Sequence, residues 1–260
     1  MIESLRSKVH TAVDDLTVAE AAARTAAREL LSIRALMANG HIKEDEGRSR
    51  GDLQSHALLH AAISAEFPED WILSEESTDD PGRLGRDRVW IIDPLDGTRE
   101  FGEAGRTDWA IHVALVRGGE LALGVVALPA LGLTLSSARP PRLPHRSGPL
   151  RIVVSRSRPP ALATEVGRRL GAIVVPMGSA GAKAMSILMG WADVYVHAGG
   201  QYEWDSAAPV AVALAAGLHA SRVDGSPLTY NHHPAWLPDL VVCRPELAAT
   251  VLEAIRAASE

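Results

Sequence analysis

Cysteine is nearly absent from this chain: the single Cys243, in the apolar stretch Leu240 to Cys243, rules out a disulfide framework or a thiolate zinc cluster and reads as an ordinary buried side chain. Long apolar runs are lacking as well. The longest, such as Leu121 to Leu128, fall far short of the roughly 20 residues that a membrane helix needs. The N-terminus shows no basic-then-apolar signal pattern, so a soluble, cytoplasmic protein with no membrane partner is expected. Basic excess is missing too: 26 Lys and Arg stand against 32 Asp and Glu, a net charge of -6, which argues against a nucleic acid polymer as partner. An anionic substrate therefore needs local help, and cations held by clustered carboxylates would supply it. No internal repeat or low-complexity tract stands out beyond Ala-rich stretches, which read as good helix formers.

What is present suffices for a full core, since 47% of the 260 residues are apolar. Thr17 to Met37 carries apolar residues at helical spacing, opens with the capping-box pattern Thr17-Val-Ala-Glu20 and stops at Asn39-Gly40. His41 to Gly51 is polar with mixed charges and reads as an exposed loop, after which Asp52 starts a second helix to about Glu66. Short β-rich segments follow at Trp71 to Leu73, Val89 to Ile92, Trp109 to Val116 and Leu121 to Leu128, the last two joined through Gly118-Gly119 as a hairpin. They predict a mainly antiparallel sheet. Ala138 to Pro149, rich in Pro, Arg and Ser, reads as a linker, which puts an α+β half at 1–149 and a second half at 150–260. In the second half strands and helices alternate: Leu150 to Val154, a helix near Leu162 to Leu170, Ile173 to Val175, a helix from about Gly181 to Met189, Asp193 to Val196, a helix from about Ser206 to Ala216, Leu240 to Cys243 and a terminal helix. That order is α/β.

The chemistry concentrates in Trp90-Ile-Ile-Asp93-Pro94-Leu95-Asp96-Gly97-Thr98-Arg99-Glu100-Phe101. A buried strand ends at Asp93, Pro94 stops sheet pairing, and the turn through Gly97 can bring the carboxylates of Asp93 and Asp96 and the carbonyl of Leu95 to one point. Hard oxygen donors in that arrangement suit magnesium. A helix beginning after Gly97 would aim the backbone N–H groups of Gly97 and Thr98 at a phosphate. An isolated pair of Asp residues in such a turn reads equally as a capped surface turn. Here it has company: Ser74-Glu75-Glu76-Ser77 follows an apolar strand, and Glu203-Trp204-Asp205-Ser206-Ala207-Ala208-Pro209 sets a carboxylate where a helix starts.

With these three motifs in this order, the sequence resembles the inositol monophosphatase superfamily of metal-dependent, lithium-sensitive phosphatases over almost its whole length. Gly-Thr-Arg-Glu-Phe at 97–101 and Glu-Trp-Asp at 203–205 look like the CysQ branch, the 3′(2′),5′-bisphosphate nucleotidases. The resemblance implies a layered α-β-α-β-α sandwich of the inositol monophosphatase and fructose-1,6-bisphosphatase type. It further implies that Glu75, Asp93 and the Leu95 carbonyl bind one Mg²⁺, that Asp93, Asp96 and Asp205 bind a second, and that a third, looser ion joins them. Glu75 counts also among the catalytic residues, with Asp52 and Thr98, which in the family orient the attacking water. The family shows Val-Thr-x-x-Asp where this chain has Arg48-Ser-Arg-Gly-Asp52, and a helix N-cap is a compatible role for that Asp.

For the substrate, the resemblance points to Gly97 and Thr98, to Ser155 and Arg156 in Ser155-Arg156-Ser157-Arg158, and to Ser179 and Lys183 in Gly178-Ser179-Ala-Gly-Ala-Lys183, one residue longer than the nucleotidase Gly-Ser-Ser-x-Lys. It adds His197, where related nucleotidases carry Arg, and Glu203. Solvated loops and a structural His are the plain alternatives for Arg156 and His197. Trp71, Trp90 and Trp109 read as core, and His232-His233 as a surface turn without a companion acid. The implied activity is removal of the 3′-phosphate of adenosine 3′,5′-bisphosphate, and of its sulfated form, in sulfate assimilation. Inositol monophosphate or fructose 1,6-bisphosphate hydrolysis by the same metals is one alternative. A non-catalytic, RNA-associated binding protein on the same fold is another, opposed by the acidic balance and the full ligand set. Homodimers are common among such relatives, though no residue marks an interface.

Overall fold

The computed structural model of the chain describes residues 14–259. Two helices lead, α1 (Asp15–Ala38) and α2 (Glu44–Glu66), followed by a sheet of β1 (Trp71–Ser74), β2 (Arg88–Asp96), β3 (Ala110–Arg117), β4 (Glu120–Leu128) and β5 (Leu133–Ser136), with the short α3 (Thr98–Gly102) after β2. These strands lie side by side in chain order, β1 parallel to β2 and the rest antiparallel. The second sheet has the order β7-β6-β8-β10-β9 and comprises β6 (Arg151–Ser155), β7 (Ile173–Met177), β8 (Val194–Tyr202), β9 (His219–Ser221) and β10 (Trp236–Cys243). Helices α4 (Ala161–Arg169), α5 (Ala180–Leu188), α6 (Ala207–Ala215) and α7 (Ala248–Ser259) complete the described residues. None of the described helices is long and apolar enough to cross a membrane.

Strand periodicity sorts the side chains into three cores. Along β3, Ile111, Val113 and Leu115 face α1 and α2, while Ala110, Ala114 and Val116 face the middle of the molecule. In the second sheet, Tyr195, Leu240 and Val242 face that same middle, and Val194, Val196, Val241 and Cys243 face α4 and α7. Helices α5 and α6, apolar nearly all round, fill the middle layer. The result is the expected α-β-α-β-α sandwich. The sheet changes at the unstructured 138–150 connection, yet the middle core draws on both halves, from Val89 and Ala114 to Met185, Tyr195 and Val242. Trp90 and Trp109 are fully buried and Trp71 partly so.

Two local expectations fail. Helix α1 begins before Thr17, at an N-cap Asp14, and Glu20 closes no capping box; it is buried and bound to Arg24 at 3.0 Å and Arg139 at 2.8 Å. The segment read as an exposed loop is the first two turns of α2, with Lys43 as N-cap, so Asp52 lies inside a helix. Its buried positions, Gly47, Gly51, Ser55, Leu59 and Ile63, recur every fourth residue. The first two are glycines, which carry no apolar signal. Glycine is required at 51 by proximity: a Cβ there would stand 2.9 Å from the Phe101 ring and 3.1 Å from Leu95. That close approach draws α2 onto the turn after β2, and Ser55 fixes it by donating to the Pro94 carbonyl at 2.7 Å.

Candidate active site

The ends of β1 and β2 and the starts of α5 and α6 converge on one cleft of about 720 Å³. Glu75, Asp96, Gly97, Thr98, Ser179 and Asp205 reach its wall, with Asp52, Asp93 and Leu95 set behind it. Each carboxylate of the strand-end motif is pinned at one oxygen. Asp93 Oδ1 accepts from the Leu95 N–H at 3.0 Å, and Asp205 Oδ2 accepts from the Tyr202 N–H at 2.7 Å. Asp96 Oδ2 accepts from the Ser179 hydroxyl at 2.5 Å and the Gly181 N–H at 2.7 Å. The remaining oxygens are the ones available to a ligand. Thr98 Oγ lies 3.2 Å from Asp52 Oδ1 and 3.1 Å from the Leu95 carbonyl, so its single proton is shared between them.

So much negative charge at close quarters disturbs ionisation. Burial, then the charges of Asp96, Glu75 and Asp205, hold the Asp93 carboxyl far above its usual range. Glu75 stays open to the cleft's water, yet enclosure by the walls and the neighbouring Asp205, Asp96, Asp52 and Glu76 push it up to about 7. Burial and Asp96 raise Asp205 to about 6; burial and Glu76 raise Asp52 to about 7 against the pull of Thr98. Asp96 alone goes down, to about 2, because His112, Lys183 and Ser179 outweigh its burial.

His112 went unrecognised in the sequence. It is wholly buried on β3, on the face toward α5, and its Nδ1 stands 3.0 Å from the Trp204 carbonyl. A carbonyl only accepts, so Nδ1 carries a proton, and Nε2 faces Asp96 Oδ2 at 3.3 Å, where the negative charge raises the pKa of the ring against its burial and favours a second proton there. Asp93, Asp96 and His112 offer atoms within 4.8 Å of one another, while Glu75 and Asp205 stand outside that tight group but within electrostatic reach. The signal was a lone polar residue inside the apolar run Ala110 to Val116. A hard divalent cation suits this donor set: oxygen donors dominate, several are buried, and their charge is incompletely balanced by the protein.

The opposite wall departs further from expectation. Ser155, Lys183 and His197 line the cleft. Arg156 does not. Its guanidinium is held by Glu100 and Glu103, both at 2.7 Å, and Ser157 and Arg158 take its place in the wall. Glu203 is wholly buried, accepting from the N–H groups of Asn231 at 2.7 Å and His232 at 2.8 Å and from His232 Nδ1 at 2.7 Å, so it is not on the substrate side. Ser179 reaches the wall, but its hydroxyl is engaged: it donates to Asp96 and accepts the Ala182 N–H at 2.9 Å as the cap of α5. This double duty holds Ser179 at a φ of 49°. Lys183 is buried and donates to the Ser179 carbonyl at 2.7 Å, and burial lowers its pKa. His197 borders the cleft with Nε2 2.9 Å from the Gly200 carbonyl, and burial lowers its pKa too. His232 and His233 form the expected surface turn, each meeting an acid distant in sequence, Glu203 and Asp79.

The family model described as "Inositol monophosphatase family" matches residues 13–260. The chain belongs to the inositol monophosphatase family. Within that family it is similar to the "3'-phosphoadenosine 5'-phosphate phosphatase" of Mycobacterium tuberculosis, 52% identical over 79% of this chain and 80% of the relative. The protein of the same name from Mycobacterium leprae is 48% identical over 89% of this chain and 90% of its own length. Among solved structures of the family, the fold resembles CysQ from Bacteroides thetaiotaomicron with a TM-score of 0.72, at 26% identity, covering 87% of this chain and 96% of that one.

Proposed function

We propose that this protein is a magnesium-dependent phosphatase that converts adenosine 3′,5′-bisphosphate to AMP and phosphate and acts likewise on the 5′-sulfated nucleotide. The observation that carries it is one cleft in which Asp93, Asp96, Asp205 and Glu75 gather beside the Asp52–Thr98 pair, in a chain so similar to proteins named for this substrate. Glu75, Asp93, the Leu95 carbonyl, Asp96 and Asp205 would hold the cations. When bound, these neutralise charge on the phosphate and acidify the attacking water. The 1–149 half thus supplies most of the cation site, completed by Asp205 from the 150–260 half, which also supplies most of the substrate wall.

Asp52 is the general base. In the cation-free protein burial and Glu76 raise its carboxyl, so it holds a proton more readily than an exposed aspartate does. Thr98, bonded to both Asp52 and the Leu95 carbonyl, keeps the base in register with the turn that carries the ligands. The water oxygen bonds to phosphorus as the bond to the 3′-oxygen breaks; the Thr98 hydroxyl, which lines the cleft, takes the water's proton as it passes its own to Asp52 behind it, and the 3′-oxygen is protonated from solvent. Lys183 and Arg158 contribute positive charge for the second phosphate. The reaction would clear a by-product of sulfate assimilation in the cytoplasm.

Phosphate release is measured from adenosine 3′,5′-bisphosphate, inositol 1-phosphate and fructose 1,6-bisphosphate at equal concentration, with Mg²⁺ and again with EDTA. A Mg²⁺-dependent preference for the nucleotide is expected. Preference for the inositol or sugar phosphate would overturn the substrate while keeping the cation site, and no release from any of them would favour a binding protein on this fold.

A further inference from the structure

Beyond the carboxylates, the far wall of the cleft ends in an aromatic surface. Tyr202 and Trp236 line the cleft and remain 46% and 44% exposed, whereas Trp90, Trp109 and Phe101 are fully buried. They are direct cross-strand partners on β8 and β10, with rings 5.1 Å apart at 85°. On one side the Tyr202 ring is covered by Trp204, stacked at 4.5 Å and 9°, and Trp204 rests in turn on the middle core. The wall is backed by packing and is not a loose pair of side chains.

The backbone is shaped to present it. Gly199 and Gly200 adopt φ values of 102° and 88°, and the β8–β10 register shifts between Leu237 and Asp239. A Cβ on Gly200 would come within 1.8 Å of the Trp236 ring, so any other residue there would expel the indole. Exposed apolar rings in a cleft otherwise walled by Lys183, Arg158, Asp96 and Asp205 call for a ligand that is flat and aromatic at one end and anionic at the other.

We propose that Tyr202 and Trp236 form an aromatic corner for the base of a nucleotide, one ring against its face and the other, at 85°, against its edge, and so set this cleft's preference for nucleotides over base-free phosphate esters. The proposal rests on the phosphatase assignment for the placement of the phosphates and adds the subsite for the base. The Tyr202 N–H donates to Asp205 Oδ2, so corner and carboxylate belong to one rigid turn and the base sits at a fixed offset from the reacting phosphate. Stacking reads a π-face and not a hydrogen-bond pattern, so the site accepts nucleobases broadly.

The test compares wild type, Trp236→Ala and Trp236→Phe on adenosine 3′,5′-bisphosphate and on ribose 3,5-bisphosphate, which has the same phosphates and no base. Trp236→Ala is expected to lower the kcat/KM preference for the nucleotide about tenfold, through KM, and Trp236→Phe to restore most of it. An unchanged preference in Trp236→Ala overturns the aromatic corner. Calorimetric titration with AMP and with ribose 5-phosphate separates this result from the fate of the phosphatase assignment. Wild type is expected to bind AMP about tenfold more tightly, an advantage lost in Trp236→Ala. Equal affinities, or no binding of either, overturn the corner even in an enzyme that hydrolyses the nucleotide. An AMP preference that depends on Trp236, in a protein that releases no phosphate, upholds the corner and sinks the phosphatase assignment.

Discussion

The two walls of the cleft obey different rules. On the acidic wall, Asp93, Asp96 and Asp205 each give one oxygen to a protein donor and keep the other for a ligand. On the facing wall, Arg156, Glu203 and Ser179 are engaged with other protein groups, and Ser157, Arg158 and the rings of Tyr202 and Trp236 are what stand open. A polar residue in the right stretch of sequence is therefore a ligand contact only where its bonding capacity is unspent, which neighbours distant in sequence decide.

Neutralising the acidic wall should have the largest effect. Asp96→Asn is expected to lower kcat on the order of 10³-fold with the circular dichroism spectrum unchanged, because the position holds a ligand carboxylate and not a core packing group. Near-normal turnover would remove Asp96 from the cation site. His112→Asn tests the support behind that wall: it should raise the Mg²⁺ concentration for half-maximal activity about 10- to 100-fold, as loss of a group that orients a ligand does. An unaltered Mg²⁺ requirement would reduce His112 to a core residue.

The facing wall should respond in stability. Glu203→Gln weakens the acceptor for two backbone N–H groups and the His232 ring, and should lower unfolding free energy by about 1–3 kcal/mol in urea titration while KM for the nucleotide stays within about twofold. A rise in KM at unchanged stability would return Glu203 to the substrate side. The smallest effect is one of pH on the cation-free protein. Asp52 and Glu75 near 7 and Asp205 near 6 lie above their ordinary values, so the folded state binds more protons than the unfolded one between about pH 4 and 7. Stability in EDTA should be greatest at the acid end of that window and fall as pH rises through it, with Mg²⁺ flattening the slope. Melting temperatures across the window check the sign; a rise toward pH 7 in EDTA would mean these carboxylates are not crowded.

The division between the walls also explains what the sequence revealed. Asp93, Leu95, Asp96, Gly97 and Thr98 are contiguous, their spacing set by one strand end and one turn, so local chemistry exposed them. The order of strands and helices was legible for the same reason, since periodicity along β3 and β8 is a local property, whereas the layered sandwich came only as what the family resemblance implied. Gly47 and Gly51 concealed the start of α2, because the contact that requires glycine at 51 comes from Phe101 and Leu95, some 50 residues away. Tyr202 and Trp236 became a pair only through the β8–β10 register, and the ring of Trp236 gives no sign in the sequence that Gly200 lies beneath it.

The middle core carries a consequence for motion. Because α5 and α6 pack against both sheets, prising the sheets apart would bring Val89, Ala114, Met185 and Val242 into water together. The apolar area involved would outweigh much of the roughly 5–15 kcal/mol that holds a domain folded. The two jaws of the cleft thus share one core: opening them like a hinge would expose it, so selectivity falls on the shape and chemistry of the faces and on the loops that form the rim.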